Sequence, residues 1–288
     1  MDQANRLRSM AKGTNIENKT QTARTITITS GKGGVGKTNF SVNLALYFAK
    51  KGYRTLIIDA DLGLANIEII LSANPRYSLL NLFESQISIE EIITKSSYGV
   101  SFISGGSGFS ELANIGKSHI RHILQNMEIL DELFDFIIID TGAGINEIVI
   151  NFIKASSETI FIIAPEPTSI TDAYSLMKTI KGETSEEIIK YKIVVNRVED
   201  KKEGEMVFKN LSRVASRFLG AELSFLGAIP YDTSLVKAVK QQKPILNLYP
   251  NSKFSAEMEN IGGALLNITE KTGSMQIFMK KLAGIFSK

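Results

Sequence analysis

Short apolar runs alternate with helix-like segments along most of this chain, and this alternation limits the folds that it can adopt. Each run is five to seven residues long, and helical spacing between runs is seen at 118–131, 145–155, 168–182 and 205–219. Continuous apolar strands are typical of parallel sheets covered on both faces. At 288 residues we expect one α/β domain, a doubly wound, mostly parallel sheet with helices on both faces. The predicted strands are TITITS (25–30), RTLIID (54–59), VSFIS (100–104), FDFIIID (134–140), TIFIIA (159–164), YKIVVN (191–196) and SFLGAI (224–229).

The first run leads directly into a glycine-rich loop, GKGGVGKT at 31–38. Gly31, Gly36, Lys37 and Thr38 satisfy the spacing G-x-x-x-x-G-K-[ST] between a predicted strand and a predicted helix. Glycines let successive N–H groups face phosphate oxygens, and the helix N-terminus adds partial positive charge. Lys37 would reach the β- and γ-phosphates, and the Thr38 hydroxyl would bind Mg²⁺. The loop therefore predicts a nucleoside-triphosphate site; a plain glycine turn is the alternative.

Acidic residues follow two of the predicted strands. Asp59 and Asp61 come at the end of RTLIIDAD, and Asp140 ends FDFIIID. Ligands of such sheets bind at the carboxyl ends of the strands, and Mg²⁺ takes oxygen ligands directly or through water. We therefore expect these carboxylates at the metal site. The alternative is that each acid caps the helix that follows.

Composition excludes several classes of site. The chain has no cysteine, which removes disulfides, thiolate metal sites and iron–sulfur clusters. Residues 1–24 carry five basic and two acidic side chains, and residues 274–288 carry three lysines and no acid, so the intervening body has a net charge of −3 within the overall +3. Because nonspecific nucleic-acid affinity needs many cations, we expect no nucleic-acid partner. With no signal peptide and no long apolar run, we expect a cytoplasmic protein.

Four motifs together, GKGGVGKT, DADLGLAN, DTGAG and VVNR, resemble the deviant Walker A ATPases of the MinD/ParA class over about residues 25–250. The resemblance implies a P-loop fold, ATP and Mg²⁺ as cofactors, and an ATP-dependent homodimer. In that class the first lysine of the loop, here Lys32, reaches the ATP of the partner subunit and acts with Lys37. By position, Asp61 would orient or activate the attacking water, Asp59 would lie close to the metal, and Asp140 would hold Mg²⁺ through water.

The same resemblance places the nucleotide base. The Asn196 amide of VVNR would read the base edge, and IPYD (229–232) would form another part of the base site. Asn39 departs from the family, which usually has a second threonine there; we expect it to face the helix with little effect. The implied nucleotide contacts are Gly31, Lys32, Gly33, Gly34, Val35, Gly36, Lys37, Thr38, Asn39, Asn196, Arg197, Pro230 and Asp232.

Within the class, the segment after Asp61 separates two branches. Partition proteins usually read D-P-Q-G-N there, whereas Leu62–Asn66, LGLAN, resembles the Min branch. The absence of cysteine excludes the iron–sulfur carriers of the class.

The last fifteen residues, SMQIFMKKLAGIFSK, have the spacing of an amphipathic helix. Their apolar positions trace one stripe, and Ser274 would cap the helix. This pattern is typical of a helix that lies in a membrane interface. The alternative is a final helix packed on the body, and one helix would do both if it were docked in the monomer and released on dimerisation. The candidate membrane contacts are Phe278, Met279, Lys280, Lys281, Leu282, Ile285 and Phe286.

The first residues match a further motif, D-Q-A-x-x-L-R, which is typical of the FlhG (YlxH/FleN) family of flagellar number regulators. Ala4, Leu7, Met10 and Ala11 would share one helical face. The resemblance implies that this segment docks on FlhF, a signal-recognition-particle-type GTPase, and stimulates GTP hydrolysis. A start without any role is the alternative. The candidate partner contacts are Asp2, Gln3, Ala4, Leu7 and Arg8.

These observations predict three segments: an N-terminal arm (1–24), an ATPase domain (25–273) and a membrane-targeting helix (274–288). We expect an ATP-switched regulator of flagellar number and placement that associates reversibly with the cytoplasmic membrane and meets FlhF and flagellar switch-complex proteins. The competing hypotheses are a Min-type division-site ATPase that works with a MinC-like inhibitor, a nucleoid-bound partition ATPase, and a module that binds ATP without turnover.

Overall fold

The computed structural model describes residues 22–61, 66–83, 87–105, 126–184, 189–268 and 273–286. Their strands form one eight-stranded sheet in the order β3-β4-β2-β5-β1-β6-β7-β8, in which β3 runs antiparallel to β4 and the other pairs are parallel. The predicted doubly wound, mostly parallel sheet is confirmed. The strands are β1 (Arg24–Ser30), β2 (Thr55–Ala60), β3 (Thr94–Lys95), β4 (Ser101–Ile103), β5 (Phe136–Ala143), β6 (Thr159–Ile163), β7 (Ile189–Val198) and β8 (Ala221–Pro230).

Helices lie on both faces of this sheet. The predicted helices 145–155, 168–182 and 205–219 correspond to α5, α6 and α7, whereas most of 118–131 lies outside the described residues. The helices are α1 (Lys37–Lys50), α2 (Asn66–Ile70), α3 (Ile89–Ile92), α4 (Leu130–Leu133), α5 (Glu147–Ala155), α6 (Pro167–Glu183), α7 (Lys201–Leu219), α8 (Thr233–Lys240), α9 (Ile245–Leu248), α10 (Lys253–Leu266) and α11 (Met275–Phe286), with a 3₁₀ turn at Leu79–Phe83.

The core explains why the strands read as continuous apolar runs. In β5, Ile138 packs into the cluster under α1 and α10, whereas Ile137 and Ile139 pack into the cluster under α4 and α11. A third cluster lies under α5, α6 and α7. Each central strand is therefore buried on both sides. The short antiparallel β3 was not predicted, because two residues are too few to give a strand pattern.

The C-terminal helix α11 packs on the body of the protein. Its stripe residues Met275, Phe278, Met279 and Leu282 are buried, and the Phe278 ring stacks on Phe152 of α5 with 5.6 Å between centroids. Burial of an apolar stripe of this kind stabilises the docked helix. The docked position is therefore the arrangement in this structure, with the Lys280 and Lys281 side chains exposed.

Two side chains fix the start of α11. The predicted cap Ser274 accepts a hydrogen bond from the N–H of Ile277 at 3.3 Å. The buried carboxylate of Asp131 accepts hydrogen bonds from the N–H groups of Met275 and Gln276, at 2.8 and 2.9 Å. These contacts satisfy N–H groups that have no partner within the helix.

The first strand begins beside this helix start. The N–H of Thr25 donates to the carbonyl oxygen of Gly273 at 3.2 Å, and Ala23 is buried in the same cluster as the α11 stripe. The arm motif at residues 2–8 lies outside the described residues. No helix in the described ranges is long and apolar enough to cross a membrane.

Candidate functional site

The glycine-rich loop joins β1 to α1 as the sequence predicts. Gly36 precedes α1 in a left-handed conformation with φ of 96°, which favours glycine. A Cβ on Gly31 would lie 2.3 Å from the main chain of Asp172 in α6, so the close approach of this helix also requires glycine. The loop is therefore fixed both by backbone conformation and by packing.

Lys37 lies buried beneath the loop and contacts Asp140. Its Nζ is 3.2 Å from Asp140 Oδ1, and the hydroxyl of Ser41 donates to the same oxygen at 2.8 Å. Among the described residues, the buried Asp140 Oδ2 has no hydrogen-bond partner. A buried carboxylate oxygen is costly to leave unpaired, so this atom is suited to bind a cation or water.

Asp59 and Asp140 face each other across β2 and β5, where their Cα atoms are paired in the register of the sheet. Burial, together with the negative charge of Asp140, raises the pKa of Asp59 to about 7, although the N–H of Asp61 and the charge of Lys37 act in the opposite direction. Two close buried carboxylates favour a cation between or beside them. The structure thus brings the two predicted metal residues together.

Mg²⁺ fits this arrangement through oxygen donors. Asp140 offers the unpaired Oδ2, Asp59 lies in the neighbouring register position, and Thr38 is half-buried in the first turn of α1. Among the described residues, no three His, Cys, Asp or Glu side chains come together as a metal site. This donor set suits Mg²⁺ that keeps several waters and phosphate oxygens in its shell.

Asp61 lies at the mouth of the site. Its N–H donates to Asp59 Oδ1 at 3.1 Å, and its Oδ1 is 3.7 Å from the place that a Cβ on Gly142 would take. Gly142 belongs to the DTGAG turn that ends β5, and the N–H of Gly144 in this turn donates to the Ser30 carbonyl at 3.0 Å. The carboxylate predicted to act on water is therefore next to a glycine turn that is bonded to the last residue of β1, directly before the phosphate loop.

Lys32, the second lysine of the loop, contacts side chains of its own chain. Its Nζ donates to Glu166 Oε2 at 2.6 Å and to the Thr168 hydroxyl at 2.8 Å. The hydrogen bond and the charge of Lys32 lower the pKa of Glu166. The Lys32 side chain is about one-third exposed, so it remains close to the surface on which the site opens.

A cavity of about 330 Å³ lies beside the loop, at the ends of β7 and β8. Asn196 and Asp232, the predicted base-site residues, line it, and their polar atoms make hydrogen bonds within the protein. Asn196 Nδ2 donates to the Val35 carbonyl at 2.7 Å, and Asn196 Oδ1 accepts from the N–H of Arg197 at 2.9 Å. The other lining residues are Gly36, Asn39, Arg197, Pro230, Tyr231, Leu235, Val236, Val239 and Lys240.

Asp232 has a structural part in the walls of this cavity. Its two carboxylate oxygens accept from the N–H groups of Ser234 and Phe254, at 2.8 and 3.1 Å. They therefore join the N-terminal ends of α8 and α10. Asn39, which we expected to face the helix and also counted among the nucleotide contacts, is one of the residues that line the cavity.

Three contributors were not singled out from the sequence. Ser41 follows Lys37 by one helical turn, so the spacing would have placed it beside the same carboxylate. Glu166 and Thr168 start α6, more than 130 residues away from Lys32 along the chain. No local pattern links them to the loop.

Comparisons with known proteins agree with this geometry. The antiactivator FleN of Pseudomonas aeruginosa is 33% identical over 261 residues, which cover 89% of this chain and 92% of FleN. The flagellum site-determining protein YlxH of Helicobacter pylori is 35% identical over 275 residues, 95% of this chain and 91% of YlxH. A solved MinC:MinD cell division protein complex from Aquifex aeolicus contains a chain with a TM-score of 0.65 and 26% identity, covering 87% of this chain and all of that one.

A family model also matches most of the chain. The model of the CobQ/CobB/MinD/ParA nucleotide-binding domain covers residues 26–245, which include the loop, the acidic strand ends and the cavity at the ends of β7 and β8. The chain therefore belongs to the MinD/ParA family of P-loop ATPases.

Proposed function

We propose that this ATPase is a nucleotide-switched regulator of flagellar number and placement. One observation carries the proposal: a chain that has both lysines of the glycine loop resembles FleN and YlxH over about nine-tenths of its length. YlxH is named as a flagellum site-determining protein, and FleN is named as an antiactivator. We infer that this chain also controls flagellar number and placement.

Hydrolysis would be a timer, and each side chain has a part in it. Mg²⁺, when bound, would neutralise phosphate charge and order water around Asp59 and Asp140. Phosphate oxygens would compete with Asp140 for the ammonium group of Lys37, which lies 3.2 Å from that carboxylate. Asp61, beside the glycine turn, would orient the attacking water.

Through Lys32, the pairing of two subunits would depend on whether ATP or ADP is bound. In this structure Glu166 and Thr168 hold the ammonium group in its own chain. An ATP-bound second copy would offer phosphate oxygens in their place, and a contact of this kind supplies charge in trans as an arginine finger does. ADP lacks the γ-phosphate and would not compete as well. The homodimer would therefore form with ATP.

Light scattering tests this step. The Asp61→Ala variant should double its molecular mass when ATP is added, because hydrolysis no longer ends the pairing. The variant Asp61→Ala with Lys32→Ala should bind ATP and keep the monomer mass. An unchanged mass of Asp61→Ala with ATP would contradict the proposal.

Membrane residence would follow from release of α11. Its stripe is buried on the body, so interface binding requires undocking. α5 connects the two places: it begins three residues after Gly144 of the glycine turn, and its Phe152 stacks on Phe278 of α11. Two released helices on one dimer would bind lipid far better than one by effective concentration.

Sedimentation with anionic vesicles tests release of the helix. The full chain should sediment more with ATP than with ADP. Ile277→Ala is the control variant. Ile277 lies off the stripe with 45% of its surface exposed, so this variant should keep the difference in sedimentation between ATP and ADP. Equal sedimentation with the two nucleotides would rule out nucleotide-controlled release.

The N-terminal motif would stimulate the GTPase FlhF. A peptide of residues 1–24 should raise phosphate release from GTP by FlhF, and a peptide with Leu7→Ala and Arg8→Ala should not. Absence of stimulation by the first peptide would favour the hypothesis of a Min-type division-site ATPase. A deletion strain separates the two outputs directly, because abnormal flagellar number is expected here and minicells are expected of a division-site ATPase.

A further inference from the structure

A second cavity, of about 330 Å³, lies at the edge of the sheet opposite the phosphate loop. It opens where β6 and β7 begin, whereas the loop follows the end of the parallel strand β1. The length of the strands therefore separates it from the nucleotide site. We call it the lysine cavity, after Lys154, Lys190 and Lys281 in its lining.

The lysine cavity has a positive lining. Among the described residues, no aspartate or glutamate lines it, and its lysines come from three elements, α5, β7 and α11. Lys281 makes no ion pair within the described ranges. Lys154 pairs with Glu183 at 3.2 Å, and both side chains are partly exposed. Lys190 pairs with Glu222 at 3.4 Å, and both are more than half exposed. Exposed pairs contribute little, so a bound anion would replace these acids at small cost.

A buried hydroxyl opens to the same cavity. Thr159, the first residue of β6, is 4% exposed, and its side chain makes no hydrogen bond within the described part of the chain. By strand alternation it shares with Phe161 the face that α5 and α6 cover, where the cavity lies. Its oxygen is not enclosed by protein, unlike the unpaired oxygens of Thr25 and Thr27. The Thr159 hydroxyl is therefore a free donor directed into the cavity.

We infer that the lysine cavity binds a phosphomonoester. Such a group carries about −1.5 to −2 charges at pH 7 and offers three acceptor oxygens, which match three lysines and a hydroxyl donor. A single carboxylate would leave more of the positive charge uncompensated. The cavity is of the size that holds a small ligand. The group would belong either to a small soluble compound or to a lipid headgroup.

The site joins the terminal helix to the body of the protein. Lys281 belongs to α11, whereas Thr159 and Lys154 belong to β6 and α5. A phosphate held by all three would bind the docked arrangement better than one in which α11 is released. By mass action, the ligand would therefore favour the docked helix. This consequence rests on the proposed release of α11, but the binding itself does not.

Calorimetric titration of glycerol 3-phosphate into the full-length protein saturated with Mg²⁺ and ADP tests the binding. We expect saturable binding. Thr159→Val keeps the shape of the side chain and removes the hydroxyl, so it should weaken affinity about two- to twelvefold, the factor of one net hydrogen bond. Lys281→Ala should weaken it about two- to fivefold, the factor of an exposed ion pair.

A control variant separates this site from a general effect of charge. Lys209→Ala removes an exposed lysine of α7 that pairs with Glu205, and it should leave the affinity unchanged. Absence of saturable binding would mean that the cavity holds water only, and equal affinity of wild type and Thr159→Val would place the phosphate elsewhere. Either result overturns the inference.

Sedimentation with ADP present separates the two sources of the phosphate. Vesicles that contain phosphatidic acid, which carries a phosphomonoester, would be compared with phosphatidylserine vesicles of equal surface charge. If the ligand is a lipid headgroup, the wild type should sediment more with phosphatidic acid, and Thr159→Val should lose this excess. If it is a soluble compound, the two kinds of vesicle should capture equal amounts. Neither assay involves ATP-dependent pairing, so failure here would leave the proposed function intact.

Discussion

Removal of the negative charge at position 158 should strongly destabilise the protein. Glu158 precedes β6, its side chain is 2% exposed, and its oxygens lie 2.8 Å from Arg24 Nε, Arg24 Nη2 and Lys192 Nζ. The substitution Glu158→Gln keeps the shape of the side chain. It leaves two cations without their counter-charge, one of them with a side chain that is only 11% exposed.

The size of the effect follows from this burial. Removing one partner of a buried ion pair costs about 3–5 kcal/mol. Because the Lys192 side chain is 20% exposed and has access to water, we take the lower end, about 3 kcal/mol. For a domain of this size, each kcal/mol lowers the melting temperature by about 2–4 °C, so we expect a decrease of roughly 6–12 °C at pH 7.

The effect should depend on pH. Burial alone would raise the pKa of Glu158, but the hydrogen bonds from Arg24 and the charges of Arg24 and Lys192 outweigh it, so the pKa lies below its ordinary value of 4.5. A carboxylate of this kind stabilises the fold above its ordinary pKa, and the contribution is lost as the pH falls through the folded-state pKa. The difference between wild type and Glu158→Gln should therefore shrink below about pH 4.5.

Urea unfolding followed by circular dichroism, at pH 7 and at lower pH, measures the loss of unfolding free energy and its dependence on pH. Thermal unfolding at pH 7 measures the decrease in melting temperature. Glu222→Gln is the matched control, because the Lys190–Glu222 pair lies on neighbouring β7 and β8 with both side chains more than half exposed. Exposed pairs contribute about 0–1 kcal/mol. A loss below about 1 kcal/mol for Glu158→Gln, or a loss independent of pH, would refute the reasoning.

Three further predictions concern the loop, the metal site and the terminal helix. Gly31→Ala should lower nucleotide affinity and cost about 1–3 kcal/mol, since its Cβ would meet α6, whereas Gly182→Ala, which meets nothing within 4 Å, should be neutral or stabilising. The raised pKa of Asp59 means that the fold without nucleotide loses stability as the pH rises from about 4 through 7; Asp59→Asn should remove this slope in chemical denaturation without Mg²⁺. Leu282→Ala should cost about 2–5 kcal/mol, because the side chain is 2% exposed in the α11 interface; a loss comparable with that of Ile277→Ala would contradict the docked position.

The fold and the phosphate site could be predicted because their signals are local. The glycine loop needs a left-handed backbone at one fixed position and a close approach of α6 at another. Only glycine meets both needs, so the glycines in the sequence identify the loop. Acids at the ends of apolar runs meet because parallel strands end at one edge, as Asp59 and Asp140 do.

The remaining details depend on contacts between distant segments. The partners of Lys32 start a helix that follows a different strand, so their position is fixed by the assembled sheet. Asn39 lines one cavity together with residues of α8 and of the ends of β7 and β8, which come from distant parts of the chain. The stripe of α11 suits lipid and protein equally well, and α5 together with Asp131 determines which surface it covers here.

The hydrogen bond between Thr25 and Gly273 holds the start of β1 beside the start of α11. The first described residue, at position 22, is therefore close to the first turn of the terminal helix. If the first turn of α11 lay among lipid headgroups, position 22 would lie close to the same plane. Under our proposal that the segment before position 22 recruits a GTPase, this attachment would keep the GTPase near the lipid, where a search in two dimensions replaces one in three.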